Sequence, residues 1–370
     1  MNLFNAVSNS KRYNNIKLAI GIVKGILSFI LLLLFLYSGY SQTLVNIISN
    51  YSSNNYIIFI LFTVTVGAAG SIIYSPLSFY SGFYLEHKYQ LSNQSFFQWI
   101  WEGIKGIFVV SVIGLPILLL FFWVLNYFGS MWWLPFAFFM FVISVVLAQI
   151  VPIVIIPIFY KVSPLDDGEL KEKIITLANE VGMKVDNVFK FNMSKNTKKA
   201  NAAFTGLGRT KRIILGDTLL DNYSVDQIIT VMAHELGHYK HKHIIKNIFI
   251  GTIFSFLTLF LIAVFYENTL HLFDFNNITE IAALPLLTIW AMVIGIIQQP
   301  VSNIISRRFE YQADEYAVKS TGKREAFIST LDKLTDQNLG DRDPHPFVEW
   351  FFYSHPSIKN RTEYINSINI

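Results

Sequence analysis

Long apolar runs and polar, charged stretches alternate along this chain, and each kind predicts a different structure. Apolar runs long enough to cross a bilayer occur at about 18–40, 56–75, 106–127, 132–157, 247–266 and 281–299. The last is the weakest, because it holds Pro285 and ends in Gln298-Gln299-Pro300. The first follows Lys11, Arg12, Lys17 and Lys24, as a signal-peptide core would. Its apolar stretch is too long for a usual signal core and no small-residue cleavage site follows, so it reads as a true span. Residues 161–246 have another character. Gly168 to Val181 shows helical spacing, with Leu170, Ile174, Ile175, Leu177 and Ala178 on one face. Three strand-like runs follow, Asn187–Met193, Ala200–Gly206 and Arg212–Leu215, broken by polar and Gly-rich turns. Ser224 to Gln227 is a capping-box start for a helix over about 224–246, which can run straight on from Ile244 into the fifth span.

Composition places the chain among membrane proteins. It is 53% hydrophobic and only 15% charged, with a mean hydropathy of +0.43, where soluble domains carry about 25% charged residues. A net charge of +4, scattered along the chain, gives no case for a nucleic-acid partner. With no cysteine, disulfides, thiolate metal sites, Fe–S clusters and a cysteine nucleophile are excluded. Any metal must be held by histidines and carboxylates. With six spans and both ends inside, the outer connections are about 41–55, 128–131 and 267–280. None of the 29 Lys and Arg residues falls in them. Both termini and the polar portion are therefore expected on the cytoplasmic side of an endoplasmic reticulum or bacterial inner membrane.

The polar portion carries His234-Glu235-Leu236-Gly237-His238. On a helix the two histidines lie one turn apart on one face, where they can hold one zinc, and Glu235 can act on a water at that metal. A catalytic zinc needs a third protein ligand and an open position. Glu310 and Asp314 share a helical face just beyond the sixth span, so Glu310 can complete a His2Glu site and Asp314 can accept a hydrogen bond from a ligand imidazole. Spacing alone weighs this evenly against a solvated face of ion pairs. His241 can reach the same face as His238, which leaves a three-histidine site open. His243 reads as lining the mouth or reaching the membrane surface, and His87 and His271 as surface residues without partners. His345 lies in a rigid Pro-flanked turn; His355, in Tyr353-Ser354-His355-Pro356, reads equally as a turn residue or as a donor to a developing oxyanion. Asn201 sits in a predicted strand that can take substrate as an added strand.

Taken in order, Asn201-Ala-Ala-Phe, Arg212-Ile-Ile-Leu-Gly-Asp217, the His234–His238 motif, Arg307-Arg-Phe-Glu310-Tyr-Gln-Ala-Asp314 and Tyr353-Ser-His355-Pro with Arg361 beyond resemble the type I CAAX prenyl endoprotease family, integral-membrane zinc metalloproteases. The resemblance runs from about residue 56 to 365. It implies one zinc per chain on His234, His238 and Glu310, with Glu235 as general base. It further implies that Asp314 orients a ligand histidine, that Asn201 holds the substrate backbone, and that His355 and Arg361 face the catalytic centre. The expected fold is a multi-span α-helical membrane protein whose helices enclose a chamber, with a small α+β zincin-like catalytic portion. Residues 1–160 would hold four spans and an inner loop from Tyr80 to Ile104. A cytoplasmic-side catalytic portion would follow over 161–246, two spans over 247–300, and a cytoplasmic-side part with the third ligand over 301–370. Eukaryotic members carry a further N-terminal span and a long charged insertion before the motif, neither of which is expected here.

The function implied is zinc endopeptidase action on a peptide or protein in the lipid bilayer, of the CAAX prenyl-protein processing type. Two alternatives stand beside it: an HtpX-like quality-control protease, and a non-enzymatic membrane protein with a structural zinc. The chain's own tail, Ser367 to Ile370, has no cysteine and is not a CAAX sequence.

Overall fold

In the computed structural model, which describes residues 3–183, 188–206 and 212–369, six helices among those residues are long and apolar enough to cross a membrane. They are Asn9–Tyr37, Asn55–Lys88, Phe96–Met131, Trp133–Phe159, His243–Phe273 and Ile281–Thr321. Each contains one of the predicted apolar runs or nearly all of it. The first crossing is α1 (Leu3–Tyr37), and a short α2 (Tyr40–Ser49) follows it. The second joins α3 (Asn55–Phe79) to α4 (Leu85–Lys88) through one π turn. After α5 (Phe96–Phe128), a second π turn joins α6 (Trp133–Ile150) to α7 (Ile156–Phe159). Pro76 lies just before the first π turn and Pro152 within the second. A proline has no N–H for the regular ladder, and a wider turn accommodates the gap. The expected inner loop from Tyr80 to Ile104 shrinks to residues 89–95, because helix continues into it from both sides and the Ser95–Gln98 capping box starts α5 early.

Apolar side chains face outward on the spans. Ile107 is 67% exposed, Phe249 67% and Ile297 69%, a surface suited to lipid. Between the helices lies an open apolar cavity of about 390 Å³ whose walls include Phe59, Phe62, Phe121, Trp132 and Phe136.

The polar portion adds β1 (Val162–Pro164), α8 (Glu169–Glu180), β2 (Val188–Phe191), β3 (Ala202–Thr205), β4 (Arg212–Gly216), α9 (Asp217–Asn222) and α10 (Val225–Lys240). Three of these strands fall within or upon the expected runs; Asn187 lies outside the described residues. The fourth, β1, is three residues long and carries no periodic signal. The sheet runs β1-β2-β4-β3, with β2 and β4 parallel and the other pairs antiparallel. β3 is therefore an edge.

The expected continuous helix from the motif into the fifth span is not found. α10 ends at Lys240, and α11 (His243–Thr269) begins after Lys242, whose φ of 57° is left-handed. The N–H groups of His241 and Lys242 close the end of α10 by bonding to Gly237 and Tyr239 carbonyls. α12 (Pro285–Thr321) has 37 residues, about 55 Å of helix, so it passes through the roughly 30 Å hydrocarbon layer and emerges beyond it. Its membrane part packs Leu286 and Ile289 in the bundle core, while Ala317 and Val318 join the core of the polar portion with Ile213, Leu215, Met232 and Leu236. α13 (Arg324–Gln337), α14 (Pro346–Phe352) and α15 (Ile358–Ser367) complete the polar portion.

Candidate metal centre

The Ser224 hydroxyl accepts the Gln227 N–H, and the Gln227 side chain accepts the Ser224 N–H, which fixes where α10 begins. From that start His234 and His238 fall one turn apart on the buried face, and their Nε2 atoms lie 3.2 Å from each other. α12 packs across this face. Glu310 Oε1 lies 3.4 Å from His238 Nε2, and Oε2 lies 3.5 Å from His234 Nε2. Ligand atoms of the three residues all fall within 4.8 Å of one another. Glycine at 237 permits the approach: a Cβ there would stand 2.9 Å from the Ala313 Cα and 3.1 Å from its carbonyl oxygen.

The donor set fits a divalent cation of the zinc type. Two imidazole nitrogens and a carboxylate converge, which is the nitrogen and oxygen chemistry zinc takes in hydrolytic sites. Glu310 Oε2 is buried without an aligned hydrogen-bond donor, although His355 Nδ1 stands 2.9 Å away. Such an atom calls for a positive partner. Burial disfavours the charged form of His234, but the Asp314 carboxylate that accepts its Nδ1–H, with the Glu310 carboxylate beside Nε2, outweighs it and pushes the imidazole up to about 9. The site thus favours positive charge.

Asp314 is fully buried and lies 2.8 Å from His234 Nδ1. Accepting that N–H fixes the ring with Nε2 toward Glu310, the atom that would face a metal. Arg361 holds the other side of Asp314 with two bonds, Nε to Oδ2 at 2.9 Å and Nη2 to Oδ1 at 2.5 Å. Burial works against the guanidinium charge, yet Asp314 outweighs it and holds Arg361 above the ordinary arginine value. Replacing Asp314 by alanine strands that charge and frees the His234 ring. Metal affinity is expected to fall about 10- to 100-fold, read by competition with a chromophoric chelator. Unchanged affinity would show that Asp314 does not orient His234.

Glu235 points the other way, toward the sheet edge. Its Oε2 accepts a long bond of 3.4 Å from the Phe204 N–H. In this register Asn201, Ala203 and Thr205 turn their backbone toward β4, and Ala202 and Phe204 turn theirs to the free edge. Gly216 lets the Asn201 carbonyl come close, since a Cβ there would sit 2.9 Å from that oxygen. A cavity of about 470 Å³ is lined by Asn201, His234, Glu235, Glu310, His355 and Arg361 together.

His355 is held from behind. Arg307 Nη1 donates to the carbonyls of Glu349, Trp350 and Tyr353 at the end of α14, and Asn303 donates to that of Phe351. These bonds fix the turn that sets His355 against Glu310. Arg307 lies one turn from Glu310 on the same helix, and only the folded arrangement distinguishes its role from a surface charge.

The remaining histidines separate clearly. His241 closes α10 and stacks on His243, outside the three-residue cluster. His243 is 2% exposed and bonded to His238, rather than lining the mouth or reaching the membrane surface as the sequence suggests. His87 has partners after all, the carbonyls of Phe83 and Gln94. His271 is exposed, and His345 caps α14 by accepting the Phe347 N–H.

Residues 164–369 match the family model described as peptidase family M48. Residues 5–161 match the model described as CAAX prenyl protease N-terminal, five membrane helices. CAAX prenyl protease 1 of Saccharomyces cerevisiae is 34% identical over 316 residues, covering 80% of this chain and 69% of the yeast protein. An uncharacterized metalloprotease of Bacillus subtilis, YhfN, is 30% identical over 366 residues, covering 96% of this chain and 84% of its own length. The crystal structure of S. mikatae Ste24p superposes with a TM-score of 0.88 at 29% identity, covering 98% of this chain and 89% of that one.

Proposed function

The chain belongs to peptidase family M48 and is an integral-membrane metalloprotease, and from that premise we propose that it cleaves C-terminal CAAX segments of prenylated proteins with a zinc held by His234, His238 and Glu310. One observation carries the reading: His234 and Glu310 of the ligand cluster, Glu235, and Ala202 on the free edge of β3 line one cavity. The match of residues 5–161 to the CAAX prenyl protease N-terminal model supports this substrate class over a quality-control protease.

Zinc, when bound there, supplies a Lewis acid that lowers the pKa of water toward about 7 and polarises a carbonyl. The chain's residues do the rest. Ala202 offers its N–H and C=O, and Phe204 its C=O, to an extended peptide, which adds to the sheet as a fifth strand. The Asn201 side chain, at the entry to β3, holds the peptide backbone. Glu235 takes the proton from the attacking water and passes it to the leaving amine. His355, two-thirds exposed into the cavity, donates to the carbonyl oxygen as charge develops. Arg361, 3.9 Å from Glu310 Oε2, adds positive potential from behind while it holds Asp314. The absence of Lys and Arg from the outer connections supports a site on the cytoplasmic side, with both termini.

A farnesylated CAAX peptide and its unprenylated twin, given to the purified protein in detergent with and without a zinc chelator, test this. Chelator-sensitive cleavage that prefers the farnesylated peptide is expected. Equal cleavage of both would remove the prenyl specificity, and cleavage untouched by the chelator would remove the metal.

A further inference from the structure

His234 and His238 are backed by different partners. The Asp314 carboxylate stands behind His234; behind His238 stands another imidazole. His238 Nδ1 lies 2.8 Å from His243 Nδ1, and His243 Nε2 lies 2.9 Å from Gln312 Oε1. The His243 ring is clamped, stacked on Phe309 at 4.1 Å between centroids and 10° between planes, with His241 stacked on it at 5.5 Å. Phe309, Glu310 and Gln312 are neighbours on α12, so one turn of that helix supplies the third ligand and the far end of this chain of bonds.

Two facing ring nitrogens bond only if one carries the proton and the other does not. The row His238–His243–Gln312 therefore has two polarities. In one, Gln312 donates from its amide nitrogen, His243 donates from Nδ1, and the proton of His238 is left on Nε2, which closes that atom to a metal. In the other, the Gln312 carbonyl oxygen accepts from His243 Nε2–H and His243 Nδ1 accepts from His238 Nδ1–H. His238 Nε2 then keeps its lone pair, aimed at His234 Nε2 and Glu310. The orientation found, with Oε1 of Gln312 toward His243, is the second.

We propose that His243, backed by Gln312, is a positioning residue that sets the tautomer and ring orientation of His238 for metal ligation. The inference rests on His238 being a ligand through Nε2, as the proposed function has it. The break in the helix before α11 makes it work. On a continuous helix His243 would lie roughly 140° around from His238, and the left-handed Lys242 returns it to the same side.

The test measures zinc affinity of the full-length protein in detergent, by competition with a chromophoric chelator, alongside the melting temperature of the zinc-free protein. His243→Leu is expected to weaken zinc binding about 10- to 100-fold with the zinc-free melting temperature unchanged. His243→Asn, whose Oδ1 stands near the position of Nδ1 and accepts the same N–H, recovers most of that loss. Gln312→Glu, which can only accept, keeps affinity, whereas Gln312→Met, which does neither, loses part of it. Wild-type affinity in His243→Leu would overturn the proposal. So would an asparagine variant as weak as the leucine one, or a loss that follows a lowered zinc-free melting temperature. If the unaltered protein takes up no zinc, or His238→Ala binds as well as wild type, the metal reading itself fails. That result is distinct from wild-type binding, loss in His238→Ala and retention in His243→Leu.

Discussion

Glu235→Gln is expected to abolish turnover while zinc remains bound. The Glu235 carboxylate is outside the ligand cluster and faces the edge of β3, where it accepts the Phe204 N–H. Glutamine has the same shape and can keep that bond through its carbonyl oxygen, so neither the strand nor the metal loses a partner. It cannot take a proton from water. Loss of a positioned general base removes about 10²- to 10⁴-fold in rate, and a fall in kcat of that size is expected on the farnesylated peptide. Zinc content by elemental analysis should stay at one per chain. Turnover close to wild type in a zinc-loaded variant would rule out Glu235 as the base.

Gly237→Ala should damage the site without touching a ligand. The added Cβ would meet the Ala313 Cα at 2.9 Å, the Ala313 oxygen at 3.1 Å and the Tyr316 Cβ at 3.2 Å. Two of these are backbone atoms, which no rotamer change moves aside. α10 and α12 must separate, and Glu310, one turn from Ala313, moves away from both histidines. Ligand geometry tolerates about 0.5 Å, and overpacking of this kind costs about 1–3 kcal/mol. Zinc affinity is expected to fall at least tenfold, with activity falling alongside. Ala313→Gly should not rescue it, because the Cα and the carbonyl oxygen remain. Gly251→Ala, on α11 with open space around it, is the matched control and should behave as wild type. Wild-type zinc affinity in Gly237→Ala would show that this contact does not set the site.

The features legible in the sequence are those written locally. The six spans follow from runs of apolar residues, the start of α10 from Ser224 and Gln227, and three strands from short alternating runs between turns. The choice between Glu310 and His241 is not local. It depends on α12 packing across α10, and on His241 falling at the end of α10 where the helix is already closing. His243 was hidden by Lys242. Lysine is a good helix former and seldom takes φ above zero, so nothing in its side chain announces the left-handed turn that redirects the chain. Arg307 and Gln312 were hidden for the same kind of reason: each acts on a segment distant in sequence.

That distance has a consequence for how the protein is made. Eighty residues separate His234 from Asp314, and 127 separate it from Arg361. Two membrane crossings, α11 and α12, lie between the paired histidines and the carboxylate that completes the cluster. A ribosome therefore delivers His234 and His238 long before Glu310, the carboxylate grouped with them in the folded chain. The three-residue cluster can form only when the sixth crossing is made and α12 has docked on α10.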